Sequence, residues 1–239
     1  MRDQLGRQMA QMTRRSLLSG GAAALVGAGM WEWVRTRRVE DEIPWPLRTG
    51  LQIDEQLTRD YFRETRLAPT LAADSIESVP VNGSIALEDD PDPNWRLAFD
   101  GRSMTLAEIR ALPKVVITTE LRCIEGWSRV VEWGGVRFHD FVAAFYREMP
   151  SPDQYVAIET PDGGYYIGLD MPSAMHPQTL LCYEMNEKPL EPDHGAPLRM
   201  VIPVKYGFKS LKRVGRIDFS DSRPKDYWAE RGYDWYSGF

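Results

Sequence analysis

The chain has 239 residues, 43% of them hydrophobic and 27% charged, with a formal net charge of −6. That length is ample for a buried core in one large domain, or one domain with extensions, and the composition excludes a disordered chain. The acidic balance speaks against a nucleic-acid strand as partner, and only two cysteines, Cys123 and Cys182, exclude a disulfide scaffold.

The N-terminus reads as an address. Thr13-Arg14-Arg15-Ser16-Leu17-Leu18 sets a paired arginine in a polar, basic start. A weakly apolar stretch from Leu17 to Trp33 follows, then Arg35, Arg37 and Arg38. This order predicts a twin-arginine export signal over residues 1–34 and a periplasmic or otherwise exported protein. That route carries folded proteins and serves many that load a cofactor in the cytoplasm, so a complex cofactor is expected before any site is read. The chain shows no clean Ala-x-Ala cleavage site. Ser16 to Val34 approaches the ~20 residues that span a bilayer, so an uncleaved signal would anchor the protein, although Glu32 and the small residues weaken it as a span.

Residues 35–79 read as a polar N-terminal extension with a helix near Asp54 to Arg66, and 80–239 as one domain. Trp95 to Phe99 alternates like a strand and ends in the turn signal Asp100-Gly101. Thr105 to Leu112 has the form of a short capped helix stopped by Pro113. Val115 to Leu121 is β-rich and leads directly into Cys123. Phe138 to Arg147 has helical spacing. Tyr155 to Thr160 reads as a strand followed by the turn Pro161-Asp162-Gly163-Gly164. Leu198 to Val204 and Val214 to Phe219 are further strands. The class is α+β with short strands dominating, and neither repeats nor a low-complexity linker follow residue 40.

Cys123 ends a strand in Leu121-Arg122-Cys123-Ile124-Glu125-Gly126-Trp127-Ser128. Three readings of a lone cysteine stay open: an inert core thiol, a nucleophile, or a soft metal ligand. A nucleophile needs a positioned base, and His139, His176 and His194 fall in no hydrolase pattern. No Cys-x-x-Cys or His-Glu-x-x-His is present, so a protein-only zinc site is poorly supported. One thiolate completes a metal site when another ligand, such as a dithiolene, supplies most of the coordination. The basic run from Lys205 to Arg213 in an acidic protein suits a small anion, or else a solvated face.

Arg122-Cys123-Ile124-Glu125-Gly126-Trp127-Ser128, followed by Glu132-Trp133-Gly134-Gly135-Val136, resembles the cysteine loop of the sulfite oxidase superfamily of molybdopterin-dependent oxidoreductases. Within it the chain is most similar to catalytic subunits of periplasmic methionine sulfoxide reductases. Four more segments agree in order: Ala157 to Thr160, Ala174 to Pro177, Gly195 to Arg199, and Pro203 to Lys212. The resemblance covers roughly residues 80 to 225. It implies a mostly β molybdopterin-binding domain, with Cys123 as the molybdenum ligand and as a catalytic residue. It further implies cofactor contacts at Thr160, Arg199, Ser210, Leu211 and Lys212. His194 stands where the reductases commonly have asparagine, and Asn82 matches a family asparagine through a looser alignment. Tyr183-Glu184-Met185-Asn186 departs from the reductases and is similar to a sulfite oxidase segment. Tyr183 there either serves substrate as a hydrogen-bond or proton donor, or is a core tyrosine.

The resemblance implies oxygen-atom transfer coupled to two-electron chemistry, with the cofactor doing the bond-making. Reduction of a sulfoxide such as oxidised methionine leads, free or within a protein; sulfite oxidation is the alternative. A metal-free binding module of the same fold and an exported hydrolase using Cys123 remain as other classes. Arg122 and Lys205 are candidate anion-steering groups, or else cofactor or surface charges. No haem-attachment motif is present, so the resemblance implies a membrane haem b subunit as electron donor; the expectation of no nucleic-acid partner rests on the net charge alone.

Overall fold

The computed structural model describes residues 2–40, 42–87, 89–146, 149–152 and 154–239. The chain divides into two compact units, Met1–Gln52 and Ile53–Phe239. In the first, a helix α1 (Arg2–Arg35) carries Arg14 and Arg15, both exposed, and then exposes Leu17, Leu18, Leu25, Val26, Met30 and Trp31. Among the described residues no helix is long and apolar enough to cross a membrane. A short hairpin of β1 (Val39–Glu40) and β2 (Ile43–Pro44) follows, with the Trp33 and Trp45 rings edge-on at 6.1 Å.

The division falls within α2 (Trp45–Tyr61). This helix starts nine residues earlier than its sequence reading and stops short of Arg66. Pro46 sits in the first turn, where its missing N–H costs nothing and its fixed φ favours the helix. At the other end, the Arg63 guanidinium donates to the carbonyls of Asp60 and Phe62 at 2.7 and 2.6 Å, satisfying acceptors that the helix leaves free.

The second unit is built on two sheets. The hairpin of β3 (Leu97–Phe99) and β4 (Arg102–Met104) turns at Asp100-Gly101, as the alternation predicts. Helix α3 (Leu106–Arg110) begins with a capping box: Thr105 accepts from the Glu108 amide, and the Glu108 carboxylate accepts from the Thr105 amide. β5 (Val115–Arg122) and β6 (Ser128–Arg137) form a long antiparallel pair that ends at the Cys123 loop. α4 (Phe138–Phe145) buries Phe138, Phe141 and Val142; the end expected at Arg147 lies outside the described residues. β7 (Tyr155–Glu159), β8 (Tyr166–Asp170), α5 (Met171–Ala174), β9 (Leu180–Met185) and β10 (Lys188–Pro189) follow. The strand expected over Leu198 to Val204 shrinks to β11 (Arg199–Val201), because Pro203 has no N–H to extend a ladder and the chain turns through Lys205 N–H to Ile202 O at 3.0 Å. β12 (Arg216–Ser220) is the last strand.

One sheet has the order β10-β9-β6-β5 with β11 also on β9; the other runs β4-β3-β12-β7-β8. Their facing sides enclose the main core around Leu97, Phe99, Phe141, Ile158, Leu181, Met200 and Ile217. The first sheet's other face carries a second cluster: Leu121, Val131, Trp133, Leu180, Cys182 and Val201. The architecture is α+β, layered sheet against sheet. At the bulge in β6 a Cβ on Gly135 would lie 2.2 Å from the Leu181 carbonyl, so only glycine lets β6 meet β9 there. Part of the extension joins this unit. Leu71 N–H bonds Thr118 O at 2.9 Å along β5, and Gln178 holds both polar groups of the Ala68 backbone.

Candidate functional site

The Cys123 loop closes on itself. Cys123 N–H bonds Trp127 O at 2.9 Å, and Gly126 N–H bonds Cys123 O at 3.1 Å. This places the half-buried thiol on the wall of a cavity of about 200 Å³. Asn82 reaches the same wall from the segment before β3: its Nδ2 lies 3.5 Å from Cys123 Sγ and 2.9 Å from Glu125 Oε2. Trp127 Nε1 donates to that same Glu125 oxygen at 3.2 Å.

Two turns touch beside the cavity. A Cβ on Gly195, whose φ is +102°, would lie 2.8 Å from Lys212 Cα, so glycine is what brings the His194 turn against Lys212. Arg199 enters from β11, buried, with its guanidinium 4.9 Å from the centre of the Trp133 ring and one Nη1 bond of 3.3 Å to His194 O. Burial lowers its pKa to about 10. Lys212 Nζ donates to the carbonyls of Asn82, Gly83 and Asp193 at 2.7, 3.1 and 2.7 Å; burial and then Arg199 lower it to about 8. Burial, then Arg199 and Lys212, also hold His194 below its usual value, favouring neutral imidazole. Ser210 Oγ accepts from Ile202 N–H at 3.1 Å beside them.

The cavity therefore gathers Asn82, Cys123, His194, Arg199, Ser210 and Lys212. Three other candidates lie elsewhere. Thr160 is buried in the turn after β7, its hydroxyl on Asp162 at 2.6 Å and accepting from Tyr165 N–H at 3.1 Å; it reaches the cavity only by holding Tyr165, which lines it. Leu211 puts its side chain in the main core while its carbonyl accepts from Met200 N–H. Tyr183 faces the main core as well, under Arg110, whose guanidinium is 4.8 Å from the ring centre. Strand alternation decides this: Cys182 pairs with Arg199 on the cavity side of β9, so its neighbour must point the other way. Lys205 is buried beside Asp170 at 3.7 Å and does not line the cavity. Arg122 packs on Phe239, 4.4 Å from the ring centre.

Sequence reasoning missed the aromatic part of the wall, Tyr165, Phe208, Trp228 and Tyr233. The last two belong to a C-terminal tail that folds back, with Trp228 and Tyr233 rings 5.2 Å apart and Phe208 6.0 Å from Tyr233. The density of Tyr and Trp after residue 226 was the signal available.

The family model for the oxidoreductase molybdopterin binding domain matches residues 82–228. A protein-methionine-sulfoxide reductase catalytic subunit of Campylobacter jejuni is 34% identical over 166 residues, covering 60% of this chain and 56% of that protein. The same-named subunit of Xanthomonas axonopodis is 39% identical, covering 78% and 62%. That of Ralstonia nicotianae is 29% identical, covering 94% and 74%. The chain thus spans little more than half the length of the first two relatives. A solved structure, the sulfane dehydrogenase SoxCD of Paracoccus pantotrophus, aligns with TM-score 0.49 and 20% identity over 54% of this chain and 39% of that one.

The residues present fit a molybdopterin on the structure's own terms. The group joins a phosphate, a polar pterin and a metal-binding dithiolene. Among the described residues Arg199 and Lys212 make no ion pair with a carboxylate, and the buried Arg199 Nε has no hydrogen-bond partner in the protein. A buried Arg199 without an anion, with the half-buried Lys212 beside it, calls for an anion from outside, and a phosphate matches. Cys123 Sγ in the same cavity is a soft donor of the kind molybdenum takes. Among the described residues no cluster of three or more His, Cys, Asp or Glu could hold a metal ion. With the family match running from Asn82 through Trp228 and the cavity fitted to that cofactor, the chain belongs to the oxidoreductase molybdopterin-binding domain family.

Proposed function

We propose that the protein is a molybdenum-dependent oxidoreductase that removes the oxygen atom from a sulfoxide such as methionine sulfoxide. The observation that carries this is the cavity joining the Cys123 thiol to the Arg199 and Lys212 cations and the His194 imidazole, in a chain whose relatives are named methionine-sulfoxide reductases.

In this reading Cys123 is the protein's ligand to molybdenum. Arg199 and Lys212 bind the phosphate, His194 and Ser210 meet the pterin, and Asn82 closes the cavity over it. Thr160 and Leu211 act through the backbone they hold. The bound group supplies the two-electron oxygen-atom transfer; the chain's residues bind and orient it. Trp127, Phe208, Trp228 and Tyr233 give the cavity a largely apolar wall, beside which charge interactions are stronger than in water. Export by the twin-arginine route to the periplasm follows from Arg14-Arg15 and the stretch after them. A membrane haem b subunit is proposed as the electron donor, in line with relatives named as catalytic subunits.

A steady-state comparison on one preparation tests the direction. A reduced dye is oxidised by methionine sulfoxide in one arm, and an oxidised acceptor is reduced by sulfite in the other. Faster turnover with the sulfoxide is expected. A clear preference for sulfite would reverse the assignment.

A further inference from the structure

We infer that Glu125 is a positioning residue for the metal-binding sulfur: its carboxylate fixes which end of the Asn82 carboxamide faces Cys123, and so delivers an N–H donor to Sγ. The inference rests on the cofactor reading and is independent of the substrate.

A carboxamide has two polar ends, and nothing in its own shape chooses between them. The choice is made by what surrounds it. Glu125 Oε2 lies 2.9 Å from Asn82 Nδ2. An ionised carboxylate only accepts, so it can bond the NH2 end and repels the carbonyl end. The amino group has two hydrogens. With one on Glu125, the other is free for Cys123 Sγ at 3.5 Å. Were the carboxamide reversed, its lone pairs would face both the carboxylate and the thiolate.

Glu125 is itself held in place. The Trp127 indole, which can only donate, bonds the same oxygen at 3.2 Å, and the Trp127 carbonyl accepts from the Cys123 amide at 2.9 Å. The Asn82 backbone is pinned from the far side by Lys212 Nζ on its carbonyl at 2.7 Å. Among the described residues Glu125 makes no ion pair, so its carboxylate is not explained as half of a salt bridge. An N–H aimed at a metal thiolate draws electron density from the sulfur and raises the metal's reduction potential.

The test uses the holoenzyme with Glu125→Met, Asn82→Leu and the double variant. Methionine keeps the length of Glu125 but removes the oxygen that accepts from both Asn82 Nδ2 and Trp127 Nε1, so the polarity of Asn82 is no longer fixed. The midpoint potential is read by dye-mediated titration followed through the metal's spin resonance. Both single variants are expected to shift it downward, and the double variant no further than Asn82→Leu alone, since both act through one N–H. An unchanged potential in metal-loaded Glu125→Met, or additive shifts in the double variant, would overturn the inference. A second measurement covers a variant that fails to load the metal. In cofactor-free protein the Asn82 side-chain amide proton resonances should lie downfield in the wild type and move upfield in Glu125→Met. Identical resonances would equally overturn it. Neither readout needs turnover, so an enzyme inactive on sulfoxide leaves this result legible.

Discussion

Cys123 and Arg199 both line the cavity, and each has a distinct expected response. Cys123→Ser exchanges a soft thiolate for a hard hydroxyl at a half-buried position, so the fold should persist while metal content and turnover collapse. Circular dichroism and elemental analysis of one sample check both halves; a variant as active as the wild type would make the thiol structural. Arg199→Met removes a buried cation that has no carboxylate partner. The cofactor-free variant is therefore expected to melt no lower than wild type, yet to lose its affinity for inorganic phosphate. Lys212 adds a pH dependence. Its folded pKa of about 8 lies below the usual lysine value, so it is cationic below that pH and loses its charge above it. Phosphate affinity of cofactor-free protein should fall as pH rises through about 8, and Lys212→Met should flatten the curve. At this scale the sequence exposed the residues that sit in contiguous motifs: Cys123 at a strand end, Arg199, and Ser210 with Lys212. It did not reveal Tyr183's direction, because that depends on which face of β9 Arg199 pairs with. For Trp228 and Tyr233 the aromatic density after residue 226 is visible, but it does not say which surface the tail folds back onto.

The elements behind the cavity are held by buried polar contacts. Lys209 and Asp226 form an ion pair with neither side chain exposed, and Lys209 Nζ also donates to Gly168 O at 3.0 Å, tying the turn after β11 to β8 and the C-terminal tail. Removing one partner leaves a buried charge unpaired, so Asp226→Ala should cost about 3–5 kcal/mol, read as a lower denaturant midpoint. The extension is held by His176. Its Nδ1 accepts from Gln178 N–H at 3.2 Å and its Nε2 lies 3.2 Å from Arg66 O, an arrangement that needs the neutral ring. Burial lowers its pKa. Protonation is therefore resisted in the folded state, and this anchor's stability is present above the unfolded value of about 6.5 and declines as pH falls below it. Proteolysis near residues 62–71 should rise under acid, and His176→Gln should remove that dependence. Strands and the capped α3 helix were legible because alternation, Asp-Gly and Thr-x-x-Glu are local signals. The start of α2 was not, because Pro46 reads as a breaker until it is placed in a first turn, and Pro203 cut short a strand that hydrophobicity alone would extend.

For the molecule as a whole, the N-terminal address and the cofactor cavity make separate claims. Replacing Arg14 and Arg15 by Lys should leave the protein in the cytoplasm, as cell fractionation would reveal; normal export of the double variant would refute the twin-arginine route. The class, α+β with a mostly β cofactor domain, could be read from the order of strand and turn signals. The sheet order could not, since β12 lies parallel to β3 across more than a hundred residues of chain. The central claim is that this cavity holds a molybdopterin through Cys123. Elemental analysis of wild type and Cys123→Ser, purified from cells that make the cofactor, tests it most directly. The wild type should contain about one molybdenum per chain and the variant little or none; wild type without molybdenum, or a variant that retains it fully, would contradict the account.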